Sequence, residues 1–148
     1  VSAPPANVVA AAATDLPEIL FLLDASGLPV ADLTGGSQVE FLIARRLQRL
    51  VGVVGLERFG EVGLLRSLAV DAEHRKQGLG LALIRALEAH AASMGISSLV
   101  LLTEAASGFF RRHGYEAIRR AGAPRAVQAS TEFRQLCPDS AVCMTKRL

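Results

Sequence analysis

Arg75-Lys76-Gln77-Gly78-Leu79-Gly80 joins an apolar strand to an amphipathic helix, and its residue types and spacing suit it to hold an anion. Glycines at a helix N-terminus let several backbone N–H groups converge on one negatively charged group, and the helix dipole adds to the attraction. A dinucleotide-binding turn would need G-x-G-x-x-G, but Leu83 stands where the third glycine would fall. A Walker loop would need G-x-x-x-x-G-K-S/T, which is absent. The pairs Arg75-Lys76 and Arg111-Arg112 can face phosphates or serve as solvated surface charge.

The elements that must position this loop follow from periodicity. Val62 to Val70 is the apolar strand that enters it. Val39 to Arg45 and Leu50 to Arg58 read as the two preceding strands of an antiparallel meander, with a tight turn at Phe59-Gly60-Glu61. Gly52 and Gly55 mark a bulge or a close backbone approach. Gly78 to Met94 predicts a helix with Leu79, Leu83, Ala86, Leu87 and Met94 on one face, stopped by Gly95. Ser98 to Leu102 is apolar without alternation, as a strand covered on both faces should be. Strand, helix and strand form a βαβ unit with a right-handed crossover.

Downstream, Thr103 to His113 predicts a second helix closed by Gly114, and Tyr115 to Arg120 a strand. Short helical turns fall between Pro124 and Leu136, Pro138 breaks them, and Ala141 to Leu148 forms the last strand. Upstream, Asn7 to Ala13 reads as a first strand. Thr14-Asp15 before Leu16-Pro17-Glu18 signals a helix start, Gly27-Leu28-Pro29 a stop, and Thr34 to Ser37 a turn. The expectation is one α+β domain over 1–148, with 1–6 as a flexible lead.

At 148 residues and 51% hydrophobic, the chain suits one compact core. A net charge of +2 with 20% charged residues excludes a dedicated nucleic-acid binder. No apolar run is long enough to span a bilayer. Cys137 and Cys143 are too few for a disulfide framework, so a reduced, cytoplasmic enzyme is expected. Both cysteines read as small buried hydrophobes rather than as a thiol pair for a metalloid. His74, His90 and His113 have no metal-ligand spacing, and no metal is expected.

The loop and the segment after the fifth strand together resemble the GNAT N-acetyltransferase superfamily. Its central Q/R-x-x-G-x-G/A motif is matched in full by Arg75 to Gly80. Its second motif, Asn-x-x-Ala-x-x-Phe-Tyr-x-x-x-Gly-Phe, keeps its spacing with several identities changed in Thr103 to Tyr115. The resemblance covers essentially the whole chain. It implies a mixed, mostly antiparallel sheet of about seven strands, splayed between strands four and five and flanked by helices. It also implies acetyl-CoA as cosubstrate and a small-molecule amine as acceptor, with neither nucleic acid nor membrane as partner. A homodimer is a further expectation.

By that resemblance the coenzyme would contact Leu68, Ala69 and Val70 of strand four and the loop Arg75, Lys76, Gln77, Gly78, Leu79 and Gly80. Thr103, Ala106, Phe109, Phe110 and Arg112 would complete its site. A strand-four amide would polarise the thioester carbonyl. The tail, with Pro124, Val127, Ser130, Thr131 and Phe133 and then Leu136-Cys137-Pro138 and Ser140-Ala141, resembles the acetyltransferases encoded with arsenic-resistance genes. That branch implies an amino acid or amino-acid-like toxin as acceptor.

The chain departs from the family pattern at two catalytic positions. Phe110 stands where the usual tyrosine acid would be, and Leu64 where some relatives carry a glutamate. Tyr115 occupies a core aromatic position. Glu57 and Glu61, on either side of the turn before strand four, are the nearest candidates for a general base, or else hairpin surface charges. An arginine inside a strand of leucines is costly unless it reaches solvent or an anion, so Arg66 is a candidate fork for a substrate carboxylate or a snorkelling surface group. Arg45, Ser130 and Thr131 are further acceptor-site candidates. The alternative to an enzyme is an acyl-CoA-binding sensor on the same scaffold, without turnover.

Overall fold

The computed structural model describes residues 7–33, 38–136 and 138–148. The expected flexible lead, the Thr34 to Ser37 turn and Cys137 lie outside them. Seven strands make one sheet: β1 (Val8–Ala10), β2 (Glu40–Arg46), β3 (Arg49–Phe59), β4 (Val62–Val70), β5 (Ser98–Thr103), β6 (Glu116–Ile118) and β7 (Val142–Arg147). Their order is β1-β2-β3-β4-β5-β7-β6, and every pairing is antiparallel except β4 with β5. The helices are α1 (Leu16–Ala25), α2 (Leu79–Ser93), α3 (Ser107–Arg112) and α4 (Arg125–Gln128), followed by a π-helical turn over Glu132–Leu136. This is the expected α+β fold with a seven-stranded mixed sheet.

Helix α2 buries Leu79, Leu83, Ile84, Leu87 and Ala91 against one face of the sheet. Each fully buried leucine contributes about 2 kcal/mol of apolar transfer. The close approach expected at Gly52 is present, because a Cβ there would lie 2.9 Å from Leu83 Cδ1. On the opposite face α1 packs Ile19, Leu22 and Leu23 on Ile43, Val53 and Ala69. A third cluster joins Leu64, Val100 and Cys143 to Val127 and Phe133 of the late helical segment. Cys143 is thus a free thiol in the core.

Two expected elements are shorter than the sequence suggested. The helix expected over Thr103–His113 starts only at Ser107, because β5 continues to Thr103, which pairs with Val142 of β7. Sheet pairing there overrides helical periodicity. The first strand covers three residues and gives way to a 3-10 turn at Ala13–Asp15. Of the expected Thr14-Asp15 start, Asp15 caps that turn: its Oδ2 accepts the Ala12 N–H at 2.7 Å.

The centre of the sheet sets up the site. β4 and β5 pair only from Val62↔Ser98 to Leu64↔Val100 and then separate. The closed end is tight: a Cβ on Gly63 would lie 2.8 Å from Leu56 Cδ1 and 2.9 Å from Leu99 Cδ2. On its other side β4 slips register against β3, from Gly55↔Arg66 to Val53↔Ala69. The bulge read from the β3 glycines is present against β2, where Ala44↔Gly52 gives way to Arg45↔Leu50 and Val51 is the extra residue; a second bulge lies on β4, with Ser67 at a φ of 56°. The β4 bulge puts Leu65 and Leu68 towards α2 and Ala69 towards α1, with Arg66 turned to Asp32 in the loop after α1.

Candidate functional site

Past Leu64 the diverging strands open a wedge with two adjoining recesses. The first is a groove of about 770 Å³ running from the β4 edge at Leu68, Ala69 and Val70 to the Arg75–Gly80 loop. Gly78 caps α2 with a φ of 81°, a left-handed conformation that glycine adopts without strain, and its carbonyl accepts the Ala82 N–H at 3.0 Å. The α2 N-terminus thereby faces the groove, and its first-turn amides have no partner within the helix. The side of Gly80 is open, with Phe109 Cζ 3.6 Å from the position a Cβ would take.

The loop is tethered at its base. Asp71 accepts from Arg49 at 3.2 Å and bonds the His74 ring at 2.9 Å. The His74 contact, together with the Arg49 charge, holds its carboxyl below the usual aspartate range. Arg75 Nε donates to the Val70 carbonyl at 3.1 Å, which ties the loop to the end of β4.

The coenzyme-site expectations separate into three groups. Leu68, Ala69, Val70, Arg75, Lys76, Gly78, Leu79, Gly80, Ala106, Phe109 and Arg112 line the groove. Thr103 and Phe110 line the second recess instead. Gln77 is exposed and lines neither. Thr103 Oγ1 accepts the Ala106 N–H at 3.0 Å, so it shapes the turn into α3. Phe110 is buried edge-on between Phe109 and Tyr115, and the Tyr115 hydroxyl donates to Glu88 at 2.8 Å. Burial raises the Tyr115 pKa far above an ordinary phenol, with the Glu88 contact adding to it.

The second recess, about 360 Å³, lies between Leu65–Leu68 of β4 and Leu101–Thr103 of β5 and is closed by Pro29, Glu132 and Ala141. Arg66 enters it fully buried, so it is no snorkelling surface group. The anions it meets belong to the protein. Its Nη1 and Nη2 donate to the two oxygens of Asp32 at 2.6 and 2.8 Å, and Nη1 also donates to Glu57 at 3.3 Å. Its Nε donates to Ser67 Oγ at 3.3 Å and lies 3.8 Å from Glu132 Oε1. Burial works against the charge, but Asp32 and the other two carboxylates outweigh it and hold the guanidinium protonated.

Several acceptor-site expectations need correction. Glu61 is exposed at the closed end of the β4–β5 pair, roughly 20 Å along β4 from Leu68 at ~3.3 Å per residue. Arg45 is not brought to the wedge: it bonds Asp15 at 2.6 Å, Glu18 at 3.0 Å and the Gln48 carbonyl at 2.9 Å. Ser130 is buried with its Oγ accepting the Phe133 N–H at 3.3 Å, and Thr131 is exposed; neither lines the recess. Glu57 does come close, through its contact with Arg66.

Two residues at this recess escaped the sequence reading, Asp32 and Glu132. Glu132 is 5% exposed, and among the described residues its Oε2 has no hydrogen-bond partner. Burial pushes its carboxyl up to about 7; Arg66 opposes this, while Asp32 and Glu57 add to it. The only signal for either was indirect: an arginine in an apolar strand demands buried anions, without saying which.

Comparisons with known proteins bear on the whole arrangement. The model of the acetyltransferase (GNAT) domain family matches residues 37–117, more than half of the chain. An uncharacterized N-acetyltransferase of Chlorobaculum tepidum is 30% identical over 89 residues, covering 60% of this chain and 57% of its own length. Among solved structures, N-acetylglutamate synthase from Neisseria gonorrhoeae, complexed with coenzyme A and N-acetyl-glutamate, superposes with a TM-score of 0.81 at 21% identity. The match covers 99% of this chain but 36% of the synthase. Rv2747 from Mycobacterium tuberculosis, in complex with coenzyme A, gives 0.80 at 23% identity and covers 96% of this chain and 99% of its own. With the family match running from the edge of β2 through the Arg75–Gly80 loop to β6, the chain belongs to the GNAT acetyltransferase family.

Proposed function

We propose that this chain is an acetyl-CoA-dependent N-acetyltransferase acting on the amine of a small molecule, an amino acid or amino-acid-like toxin, in a ternary complex. The observation that carries the reading is the junction of the two recesses, which share Ser26, Leu28, Leu68, Ala105 and Ala106. A long ligand anchored at the loop can reach the wedge, where a second molecule has room.

The groove fits the coenzyme chemically. The first-turn amides of α2, with Arg75, Lys76 and Arg112 at the groove wall, suit a diphosphate. The space beside Gly80 is open, since a Cβ there would meet only Phe109 Cζ at 3.6 Å. Beyond Leu64, β4 has no strand partner on the β5 side among the described residues, so its edge suits an extended amide-bearing arm. Bound there, acetyl-CoA supplies an activated acetyl thioester. The chain contributes by holding donor and acceptor adjacent, which settles their entropy before reaction. Phe110 has no proton to give, and a coenzyme thiol is acidic enough to leave as the anion.

Pro124, Val127, Ser130 and Phe133, which resemble the arsenic-resistance-associated branch, support an amino-acid-like acceptor, and the low cysteine count supports a reduced, cytoplasmic setting. The test offers the purified protein acetyl-CoA and a panel of amines and amino acids and follows release of free thiol. Turnover is expected; no thiol with any amine, together with no acetyl-CoA binding, overturns the reading. One observation favours a second reading, an acyl-CoA sensor: Phe110 and Leu64 are both buried apolar groups at positions where relatives carry acid–base residues. Tight acetyl-CoA binding without turnover on any amine would select it.

A further inference from the structure

We propose that Glu132 Oε2 is the proton acceptor for the acceptor substrate's ammonium group, and that Arg66 positions the carboxylates of this recess and does not grip the substrate. The inference rests on the acetyltransferase reading and supplies the base that reading leaves open.

Three observations converge. Glu132 lines the wedge between β4 and β5, where the acceptor must sit if the donor occupies the groove. It is 5% exposed, yet its Oε2 has no partner among the described residues, so a buried acceptor lone pair stands ready for a donor that those residues do not supply. Arg66 is already bonded to Asp32, Glu57 and Ser67, with Glu132 Oε1 3.8 Å from its Nε. Three carboxylates around one guanidinium leave the recess with a surplus of negative charge when all are ionised. Such a pocket attracts a cation and disfavours a carboxylate beside Arg66.

The groups facing Glu132 come from every packed element: Arg66 on β4, Glu57 on β3 and Asp32 after α1. Their sum, with burial, holds the Glu132 carboxyl near neutral pH, where it is both partly ionised and basic enough to accept a proton.

The proton balance closes. The Glu132 carboxylate takes one proton from R–NH3+, giving R–NH2 and a neutral carboxylic acid. The amine lone pair then forms the C–N bond to the thioester carbon, the C–S bond breaks, and its electron pair leaves on sulfur. The second amine proton goes to that thiolate, and Glu132 returns its proton to water. The products are an amide, a thiol and one released proton.

The experiment compares wild type, Glu132→Gln and Glu132→Asp across pH 5–9, using a panel amine that wild type acetylates and glycinamide, which is largely neutral at the upper end of that range. Glu132→Gln is expected to lose about 100-fold in kcat/KM for the strongly basic amine, and the limb near neutral pH should give way to a rate that follows only the ionisation of that amine, rising about tenfold per pH unit across the range. It should keep acetyl-CoA affinity and lose much less with glycinamide at high pH. Glu132→Asp should regain the limb set by a carboxylate, at reduced rate. Equal losses for both amines, or an unchanged profile, overturn the proposal. A wild type silent on every amine defeats the acetyltransferase reading separately. Glu132 is then judged by 13C NMR of its carboxyl: a titration near neutral that shifts on adding ethylammonium supports the site, and an ordinary glutamate titration or no shift overturns it.

Discussion

The Arg66 guanidinium takes both oxygens of Asp32, at 2.6 and 2.8 Å, and so ties the middle of β4 to the loop that follows α1. The arginine side chain is fully buried and the aspartate side chain is 18% exposed. Removing the aspartate leaves a buried cation with its two-point partner gone. Asp32→Ala should therefore destabilise the fold by about 3 kcal/mol, read from chemical denaturation. A loss below about 0.5 kcal/mol would mean that Glu57 and Glu132 suffice to hold Arg66.

Glu132 links activity to stability. Its folded pKa, about 7, lies above its ordinary value of 4.5, so the folded state binds the proton more tightly than the unfolded state. The contribution of this group is fully present below pH 4.5 and is lost as pH rises through 7. Between those limits stability falls with pH, by an amount of order 3 kcal/mol for this one group. Glu132→Gln removes that slope and should be more stable than wild type at pH 8 while less active. Equal pH dependence of melting in both proteins would contradict this.

The two glycines of the loop should differ in what their positions require. Gly78 has a φ of 81°, so Gly78→Ala should cost about 1–2 kcal/mol of stability by forcing a left-handed alanine. Gly80 lies in the first turn of α2, and an added Cβ would meet only Phe109 Cζ at 3.6 Å. Gly80→Ala should leave stability unchanged or raise it by up to about 1 kcal/mol. It should also leave acetyl-CoA binding nearly unchanged, because the family motif accepts alanine at this position. Calorimetric titration and thermal melts check both outcomes.

Gly63 tests the closed end of the wedge. A Cβ there would press on Leu56 Cδ1 at 2.8 Å and Leu99 Cδ2 at 2.9 Å, one on each neighbouring strand. Gly63→Ala should overpack the β3–β4–β5 core and cost about 2 kcal/mol, measured by denaturation. If β4 and β5 part further to accommodate the methyl, the wedge widens and the KM for the acceptor rises as well.

Much of the scaffold was legible because it rests on local signals. The stripe of Leu79, Leu83 and Leu87 specified α2, the glycine at position 78 specified its start, and the apolar run at Ser98–Leu102 specified a buried strand. The helix expected from Thr103 was misplaced because the pairing of Thr103 with Val142 is invisible to local periodicity. The glycines of β3 signalled both the close approach to Leu83 and the bulge at Val51, whereas the bulge at Ser67 of β4 had no glycine to announce it.

The acceptor side was not legible. Glu61 and Glu57 are similar acids beside one turn, yet only Glu57 turns inward to Arg66. Arg45 and Arg66 are both strand arginines, yet one is bound to the start of α1 at the sheet's edge and the other is sealed in its centre. Glu132 and Asp32 read as ordinary polar residues of loop and late helix.

The sequence by itself determined the order of strands and helices and the glycine-rich start of α2, because hydrophobic period and backbone φ are properties of neighbouring residues. The tertiary structure alone decided which charges meet. Asp32, Glu57, Arg66 and Glu132 come from four separate segments, and only the packing of α1 and the late segment over the same face of β4 removes the water that would otherwise screen them.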